Sequence, residues 1–517
     1  MYEKIKFSNF RNLFLAFRYF LRFLGNKFKV FNSLEYKDFE LSSNNKDAEK
    51  ILIFCPSLNL DTPHFLNVGL RAFINATKYL GVKIDIIQCF NFLNICHLGG
   101  SPFTDSNKMP CYSCKKVNSK LYKDINTINL SFLKVDYESE LQKLSFDELK
   151  NYTFEGVNLG ELVSSSIIWI KRHSDLNEES KNYFIKLIND SKNLKGYFDN
   201  LKLEDYKGIL VFNGISFPES ILYKICEEKN LNVATFEGGM SKNFNYSIEF
   251  NYGFTPQHFF KFDIDKNYEN GYFEDQDFFK AKTNNLISEK MDRTVSIFTN
   301  VSWDTSQFVS NNIFDSMYEW LENLKPLFKQ YKSINFVIKP HPGENRRIKE
   351  TFYTVSSWYE ENIRNQYSNV SIVLNNERST SYKLLKKSNL VLVYNSTIGI
   401  EAAILGKKVI MSANSHYSSY GFVDCPKDKE SYFNYLKETL NSQDFEVNEE
   451  KIELAKKYYY QLSNEVAYPL DKFIEGHNGR FLEINDKNLL NRDILEETKF
   501  LKLVRSFLNQ EELKYSY

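Results

Sequence analysis

The sequence alternates short β-branched or aromatic runs with amphipathic helical segments, in two separate series. The predicted strands of the first series are Ile51–Cys55, Lys83–Cys89, Gly208–Phe212 and Asn232–Phe236. Those of the second series are Val295–Thr299, Asn335–Lys339, Val370–Leu374, Leu390–Tyr394 and Lys408–Met411. Strands that alternate with helices of this length pair in parallel through right-handed crossovers. The pattern therefore predicts an α/β fold of two Rossmann-type domains that face each other across a cleft.

The length of 517 residues supports the same division, because single hydrophobic cores stop growing near roughly 250–300 residues. We predict four regions. They are a basic amphipathic N-terminal segment at 1–47, an N-terminal Rossmann-like domain at 48–285, a C-terminal Rossmann-like domain at 286–450 and a helical tail at 451–517. The second region is predicted to carry a helical and cysteine-rich insertion, of which residues 115–200 are mostly helical and polar and form an insertion or cap.

Charge and hydropathy exclude several classes of protein. Lys plus Arg equals Asp plus Glu at 66 each, so we predict no nucleic-acid partner. No stretch reaches the ~20 continuous apolar residues of a membrane span. The N-terminal apolar run is broken by Arg11, Arg18 and Arg22, with no small-residue cleavage site after it. The sequence therefore predicts a cytoplasmic protein, either free or at the inner face of the plasma membrane.

The N-terminal segment 4–30 is the one region with a strong charge bias. It contains seven Lys or Arg and no acidic residue, with Phe and Leu recurring at helical spacing. A basic amphipathic helix with bulky aromatic residues on one face binds an anionic membrane interface. The alternative is a helix that packs its aromatic face against the protein's own surface.

The sharpest motif runs from Tyr394 to Gly406, where a predicted strand ends, small polar residues turn the chain and a helix begins near Thr397. Backbone N–H groups at a helix start bind anions, and Ser396 and Thr397 add hydroxyl donors for a phosphate. Gly399 would let a ligand approach the first turn, and Glu401 would accept hydrogen bonds from ribose hydroxyls. The alternative is an ordinary N-cap of a buried helix.

A second motif, Lys339-Pro-His-Pro-Gly-Glu344, follows another strand of the same series. Two prolines predict an extended loop that holds His341 outward at the strand end. His341 would bond a phosphate or a base there, and Lys339 would supply positive charge. Because ligands of open α/β sheets bind at the carboxyl ends of strands, both motifs predict the same site.

The loop with His341 and Pro342, the Ser-Thr turn and the helix exit Glu-Ala-x-x-x-Gly-Lys resemble the bacterial capsule polysaccharide biosynthesis family. That family includes Kdo transferases of the GT-B fold, and its motifs are similar to those of bacterial sialyltransferases. The resemblance implies that His341 and Pro342 meet the cytidine or phosphate of a CMP-activated sugar, and that Ser396 and Thr397 meet the phosphate. Further segments that fit are 299–305, 416–422, 213–218 and 236–239.

The resemblance implies a glycosyltransferase without a catalytic cofactor, in which the C-terminal domain binds a nucleotide-sugar donor, with a CMP-sugar favoured. The N-terminal domain would bind a glycan or lipid-linked acceptor of a surface polysaccharide or lipopolysaccharide, and the sugar would be Kdo or another acidic sugar. Two alternatives remain open. One is a polyol-phosphate transferase that uses a CDP-alcohol, and the other is a non-catalytic scaffold of a polysaccharide assembly complex.

An inverting transferase needs a base that takes the proton of the acceptor hydroxyl. Glu237, which follows a predicted strand and precedes two glycines, is the first candidate. Asp61 and His64, after the first strand, are the next. Asn213 and Gly214 are expected to shape the acceptor side of the site. Asp304 would act as a base or as a helix cap. Arg346 and Arg347 would be phosphate ligands or surface residues.

Four of the seven cysteines form a separate constellation. Cys89, Cys96, Cys111 and Cys114 offer four thiolates for a tetrahedral structural zinc site, in which His97 could replace one ligand. The alternatives are an unmetallated thiol cluster and a redox pair at Cys111 and Cys114. No Asp-x-Asp stands in a predicted cleft loop, so we predict no catalytic metal.

Overall fold

The structure is a computed structural model in which the chain forms two compact units. It describes residues 49–58, 65–89, 92–96, 111, 114, 118, 122, 125–130, 134–174, 176–239, 245–250, 262–274, 276–281, 293–345, 351–374, 378–442, 444–464, 467–478 and 481–510. The first unit takes the described residues up to 171, from 176 to 253 and from 463 onward. The second unit takes those of 172–175 and 254–462.

The elements before residue 254 alternate between strands and helices. The strands are β1 (Lys50–Phe54), β2 (Lys83–Gln88), β3 (Asn126–Asn129), β4 (Thr153–Phe154), β5 (Val157–Asn158), β6 (Gly208–Phe212), β7 (Val233–Gly238) and β8 (Asn245–Phe250). The helices are α1 (Phe65–Tyr79), α2 (Glu138–Leu141), α3 (Phe146–Lys150), α4 (Leu159–Lys171), α5 (Lys181–Asn200) and α6 (Glu219–Glu228).

The elements that follow also alternate up to β13. The strands are β9 (Thr294–Phe298), β10 (Asn335–Lys339), β11 (Val370–Ile372), β12 (Leu390–Val393), β13 (Lys408–Met411), β14 (Tyr468–Pro469), β15 (Ile474–Asn478) and β16 (Phe481–Ile484). The helices are α7 (Asp277–Lys280), α8 (Thr305–Ser310), α9 (Met317–Gln330), α10 (Val355–Asn362), α11 (Arg378–Lys387), α12 (Ile398–Ile404), α13 (Lys429–Ser442), α14 (Glu449–Asn464), α15 (Asp486–Leu489), α16 (Arg492–Glu497) and α17 (Phe500–Asn509).

The sheet of the first unit has the strand order β14-β8-β7-β6-β1-β2-β3. Strands β7, β6, β1, β2 and β3 are parallel, whereas β8 and β14 join antiparallel. The chain runs outward from β1 to β3 and then returns to β6 on the other side of β1. The strand order therefore reverses between β1 and β6, which is where open α/β sheets bind ligands.

Alternate side chains of β1 reach two different cores, as the period of two of a strand requires. Ile51 and Ile53 pack with α1 and α17. Leu52 and Phe54 pack with α4 and α5. The prediction of residues 115–200 as an insertion or cap is therefore wrong for the part that the structure describes, because β3 extends the sheet and α4 and α5 cover one of its faces.

The sheet of the second unit is parallel throughout, with the order β11-β10-β9-β12-β13. Its strands are short buried runs of Val, Ile, Leu and Phe, as expected for a sheet that is covered on both faces. The chain moves from β9 to β10 and β11 on one side and then returns to β12 on the other side. The order of this sheet thus reverses at β9 and β12.

The predicted domain boundaries need two corrections. The boundary expected between residues 285 and 286 lies earlier, because the second unit takes the chain from residue 254. There the Tyr268 hydroxyl donates to Glu453 Oε2 at 2.7 Å, and the rings of Phe278 and Tyr459 lie 5.7 Å apart. The tail expected from 451 divides at 463, and the part after it returns to the first unit, where Phe507 packs 5.8 Å from Phe73.

The prediction of an α/β chain with two Rossmann-type halves is confirmed, and most predicted strands match the observed ones within one or two residues. The cleft between the halves stays a prediction. The basic segment 4–30 lies outside the described residues, so its contact with a membrane also stays a prediction. Among the described residues, no helix has both the length and the apolarity to span a membrane.

Candidate functional site

Three loops of the second unit meet at the carboxyl edge of its sheet. Phe298, the last residue of β9, lies opposite both Lys339 of β10 and Val393 of β12. The loops that follow these strands, residues 299–304, 340–345 and 394–397, are therefore neighbours at the reversal of strand order. We call these three loops the strand-end site. The two motifs predicted to share a site do lie on adjacent loops.

His341 is half-buried in the strand-end site and has a defined orientation. The Gly343 N–H donates to His341 Nδ1 at 3.0 Å, and the Glu344 N–H donates to the His341 carbonyl at 3.1 Å. Because Nδ1 accepts, the neutral imidazole carries its proton on Nε2, which is then a hydrogen-bond donor. Pro342 begins a 3₁₀ turn, Pro342–Asn345, so the loop is a tight turn and not the extended segment expected from its two prolines.

Replacing Gly343 with Ala is expected to move His341 while the fold is kept. A Cβ at Gly343 would lie 2.8 Å from His341 Nδ1 and 2.9 Å from a methyl group of Val301. The family resemblance implies that this loop meets a CMP-activated sugar, so we expect the affinity for CMP to fall about tenfold, the cost of roughly one hydrogen bond to a charged group, measured by calorimetry. Gly196→Ala on α5 is the matched control, since a Cβ there contacts nothing. Equal affinity in both variants would contradict this role of Gly343.

Lys339 was expected to supply charge to a bound phosphate, and the structure corrects that expectation. Lys339 is only 2% exposed, and burial lowers the pKa of its ammonium to about 8, while the Glu344 charge opposes that shift. Glu344 is 1% exposed and accepts the Val355 N–H at 3.2 Å. Burial raises the pKa of the Glu344 carboxyl to about 8. Lys339 and Glu344 thus lie together in the interior of the unit, where each charge acts on the other. The sequence analysis had not singled out Glu344.

Ser396 and Thr397 lie half-buried where the chain turns from β12 into α12. Thr397 occupies the N-cap position in helical conformation, and its side chain makes no cap hydrogen bond. The N–H groups of Gly399 and Ile400 donate to the carbonyls of Ser396 and Thr397. The Thr397 hydroxyl therefore does not cap the helix. The alternative interpretation of this motif, an ordinary N-cap, is not what the structure shows.

Gly399 and Glu401 have roles different from those expected. A Cβ at Gly399 would lie 2.3 Å from the Tyr417 hydroxyl, which itself donates to the Ser396 carbonyl. Gly399 therefore makes room for Tyr417 and not for a ligand. Glu401 is 3% exposed and accepts the Tyr382 hydroxyl at 3.1 Å, so its carboxylate has an internal partner in place of the expected ribose.

The loop after β9 adds polar groups that the sequence analysis had not assigned. Asn300 Nδ2 donates to Asn395 Oδ1 at 2.7 Å and so joins the loops after β9 and β12. Thr299 Oγ1 and Ser302 Oγ are buried and have no hydrogen-bond partner among the described residues. The only signal in the sequence was the segment 299–305, which fitted the family pattern without a role for each residue.

The rest of this loop is anchored within the second unit. The Asp304 side chain accepts the Ser306 N–H at 2.9 Å. Of the two roles predicted for Asp304, the structure therefore supports the helix cap and not the base. The Arg172 guanidinium lies 4.3 Å from the ring centre of Trp303, and Trp303 Nε1 donates to Thr351 Oγ1. Arg346 and Arg347 lie outside the described residues.

In the first unit, Glu237 is the last residue but one of β7 and lies beside the loop after β6. Asn213 Nδ2 donates to Glu237 Oε2 at 2.8 Å, and the Gly238 N–H donates to Oε1 at 3.1 Å. Asn213 and Gly214 both have positive φ, at 60° and 77°, a conformation that Asn and Gly adopt most readily. The loop thus orients the carboxylate of Glu237. Asp61 and His64 lie outside the described residues.

At the predicted cysteine site, the Cys114 thiol has other thiols as neighbours. The pKa of the Cys114 thiol is raised to about 12 by burial and by the neighbouring thiols of Cys89, Cys111 and Cys55. Asn118 Nδ2 lies 3.6 Å from Cys114 Sγ. In the part of the chain that the structure describes, no three His, Cys, Asp or Glu side chains are arranged to hold a metal ion. His97 lies outside the described residues, and a structural zinc ion at Cys89, Cys96, Cys111 and Cys114 stays a prediction.

Comparison with known proteins finds one matching family model and several solved structures of distant similarity. Residues 250–444 match the model of a family described as capsule polysaccharide biosynthesis protein. No curated protein matches the sequence. Among solved structures, the chain is similar to the β-Kdo 2,7 transferase of Thermosulfurimonas dismutans KpsC, with 14% identity, a TM-score of 0.29, and 63% of this chain and 94% of that chain covered.

Two further solved structures show similarly distant likeness. The β-Kdo 2,4 transferase of the same KpsC is 12% identical with a TM-score of 0.30, and the match covers 49% of this chain and 79% of that chain. MurG from Acinetobacter baumannii is 8% identical with a TM-score of 0.29, and the match covers 79% and 95%. The family match, at 250–444, spans all three loops of the strand-end site.

Proposed function

Residues 250–444, the part of the chain with the strand-end site, belong to the capsule polysaccharide biosynthesis family, and we propose from this premise that the protein is a glycosyltransferase. It transfers a sugar from a nucleotide-activated donor to a glycan or lipid-linked acceptor of a surface polysaccharide. The observation that carries the proposal is the meeting of the His341 loop, the Asn300 loop and the Ser-Thr turn where the strand order reverses.

The proposed role of the second unit is to bind the nucleotide and stabilise it as a leaving group. His341 Nε2–H and the hydroxyls of Ser396 and Thr397 are hydrogen-bond donors on adjacent loops. Donors that are oriented before the reaction stabilise the negative charge that develops on the departing phosphate. The family resemblance favours a CMP-sugar as donor and Kdo or another acidic sugar as the transferred group.

The proposed role of the first unit is to bind the acceptor. Glu237 is the candidate base, because its carboxylate is oriented by Asn213 and by the Gly238 N–H. A base held in place removes the proton from an acceptor hydroxyl without further reorganisation. The chain's own donors and carboxylates account for this chemistry, so the proposal includes no catalytic cofactor.

The first test is a thermal-shift panel of CMP, CDP, UDP, GDP, dTDP and CDP-glycerol on the wild type and His341→Ala. A ligand that binds only the folded state raises the melting temperature. We expect CMP to stabilise the wild type and His341→Ala to bind it about 10–100-fold more weakly, since a hydrogen bond to a charged group contributes about 1.5–3 kcal/mol. Lys332→Ala, an exposed position before the amino end of β10, is the matched control.

The other outcomes of the panel separate the competing functions. Stabilisation by CDP-glycerol and not by CMP would favour the polyol-phosphate transferase. Stabilisation by UDP or GDP would keep a glycosyltransferase and reject the CMP-sugar. No shift with any nucleotide would contradict the enzyme and favour the scaffold. An equal loss of CMP affinity in His341→Ala and Lys332→Ala would contradict the location of the nucleotide site at the His341 loop.

A further inference from the structure

A short segment between two helices of the first unit, the described part of 172–175, belongs to the second unit. It directly follows α4, and both α4 and the next helix, α5, belong to the first unit. The Phe352 N–H donates to the Arg172 carbonyl at 3.1 Å, and the ring of His173 lies 5.9 Å from that of Phe352. Both the backbone and the side chains of the segment are therefore packed into the second unit.

Arg172 combines a buried side chain with an uncommon backbone conformation. Its φ is 55°, in the left-handed region that residues other than Gly, Asn and Asp seldom adopt. Arg172 is 7% exposed, and its guanidinium lies 4.3 Å from the ring centre of Trp303. The face of an indole ring attracts a cation, more strongly where water is excluded. Strained backbone persists where the surrounding contacts fix it, and such positions cluster at functional sites.

Trp303, the ring under the Arg172 guanidinium, lies in the loop 299–304 of the strand-end site. Trp303 is 4% exposed, and its Nε1 donates to Thr351 Oγ1 at 2.9 Å. The Thr351 N–H in turn donates to the carbonyl of Glu344, in the loop after β10, at 3.1 Å. The position of the Trp303 ring is thus fixed by Arg172 on one side and by a connection to the loop after β10 on the other.

The loop 299–304 contacts both of its neighbours in the strand-end site. Asn300 Nδ2 donates to Asn395 Oδ1 at 2.7 Å, in the loop after β12. A Cβ at Gly343 would lie 2.9 Å from a methyl group of Val301, so Val301 packs against the loop after β10. Because close-packed groups transmit a displacement to their neighbours, a shift of the loop 299–304 would move the surroundings of both predicted motifs.

We propose that Arg172 is a positioning residue of the strand-end site: its cation holds Trp303 and thereby fixes the loop 299–304 between the other two loops. Arg172 acts through Trp303, so it needs no contact of its own with the ligand. The inference rests on the proposed function only for the identity of that ligand as a nucleotide. A site that is ordered before binding loses less conformational freedom when the ligand binds, so removal of the cation should weaken nucleotide binding.

The first test is calorimetry with CMP, or with whichever nucleotide of the thermal-shift panel binds wild type. Arg172→Met keeps a long side chain without the cation and should bind about five- to tenfold more weakly, as expected for a lost cation–π contact. Arg172→Lys keeps a cation and should bind within about threefold of wild type. The matched control is Lys192→Met, because Lys192 is 5% exposed and lies 3.7 Å from the ring centre of Tyr137 in the first unit. It should leave nucleotide affinity unchanged.

Hydrogen exchange of the ligand-free protein separates this role from a general loss of stability. In Arg172→Met, peptides that span 299–304 and 340–345 should exchange faster, while those of α9 in the same unit keep their protection. In Lys192→Met neither loop should change. The proposal is overturned if both loops of Arg172→Met exchange like wild type, if Arg172→Met binds the nucleotide like wild type, or if Arg172→Lys binds as weakly as Arg172→Met. If no nucleotide binds wild type, the proposed function fails, and hydrogen exchange alone decides the role of Arg172.

Discussion

The substitution Glu344→Gln should change the stability of the second unit little near pH 6 and should make it about 3 kcal/mol more stable than the wild type at pH 9. Glu344 is almost fully buried, and burial raises the pKa of its carboxyl to about 8. Glu344 is therefore protonated near pH 6, where Gln replaces a neutral acid with a neutral amide. The amide of Gln still accepts the Val355 N–H, so the difference at high pH reports the ionisation of Glu344 and not the hydrogen bond. Thermal unfolding at both pH values measures it.

The wild type should lose stability relative to Glu344→Gln between pH 6 and pH 9. The folded pKa of Glu344 is raised to about 8, so the stability from its protonated form is fully present below about pH 4.5 and is lost as the pH rises through 8. The roughly two pH units between 6 and 8 correspond to about 3 kcal/mol. Lys339, whose pKa burial lowers to about 8, titrates in both proteins and so contributes to both stability curves.

Two variants keep this prediction testable. Lys339→Met removes the ammonium that favours the Glu344 carboxylate, so adding Glu344→Gln to Lys339→Met should raise stability at pH 9 by at least as much as in the wild type. Glu360→Gln on α10 removes an exposed ion pair with Arg364 at 2.6 Å and should leave the melting temperature unchanged at both pH values. A stability difference between Glu344→Gln and the wild type that is the same at pH 6 and pH 9 would contradict the raised pKa of Glu344.

The substitution Gly399→Ala should distort the Ser-Thr turn and cost about 2 kcal/mol. The added Cβ would lie 2.3 Å from the Tyr417 hydroxyl and 3.1 Å from its ring carbon Cζ. Tyr417 is fully buried and cannot move aside without disturbing its neighbours. Overpacking of a filled interior costs about 1–3 kcal/mol. Because Tyr417 also bonds the Ser396 carbonyl, nucleotide affinity should fall along with stability.

A double-mutant cycle with Tyr417→Phe checks the cause. Phe removes the hydroxyl that the new Cβ would meet and loses the hydrogen bond to Ser396, which by itself costs about 1 kcal/mol. In the Phe background, Gly399→Ala should therefore cost less than in the wild type, with a coupling energy above about 0.5 kcal/mol. Additive costs in denaturant unfolding would show that Tyr417 is not the obstacle.

The local alternation of short apolar runs and amphipathic helices determined which segments became strands. The predicted strand Asn335–Lys339 matches β10, and Lys408–Met411 matches β13. Buried parallel strands are short, nearly continuous runs of β-branched and aromatic residues, so their signal lies within a few adjacent positions. Position at a strand's carboxyl end likewise predicted that the His341 loop and the Ser-Thr turn share one edge.

The tertiary structure decided the role of each side chain there. Lys339 follows the pattern of a phosphate ligand, yet its burial and its interaction with Glu344 depend on how the loop folds back onto α10. Gly399 and Glu401 are occupied by Tyr417 and Tyr382, which lie 18 and 19 positions away along the chain. A local pattern specifies where a loop begins, but not which distant side chain fills the space beside it.

The same distinction holds for the domains. Length determined that the chain folds as more than one domain, because a single core does not grow to this size. The return of the tail to the first unit, with Phe507 against Phe73, left no signal beyond an amphipathic helix. An apolar face specifies that it must be buried. Which surface buries it depends on the folded positions of segments far apart in sequence, and only the tertiary structure contains that information.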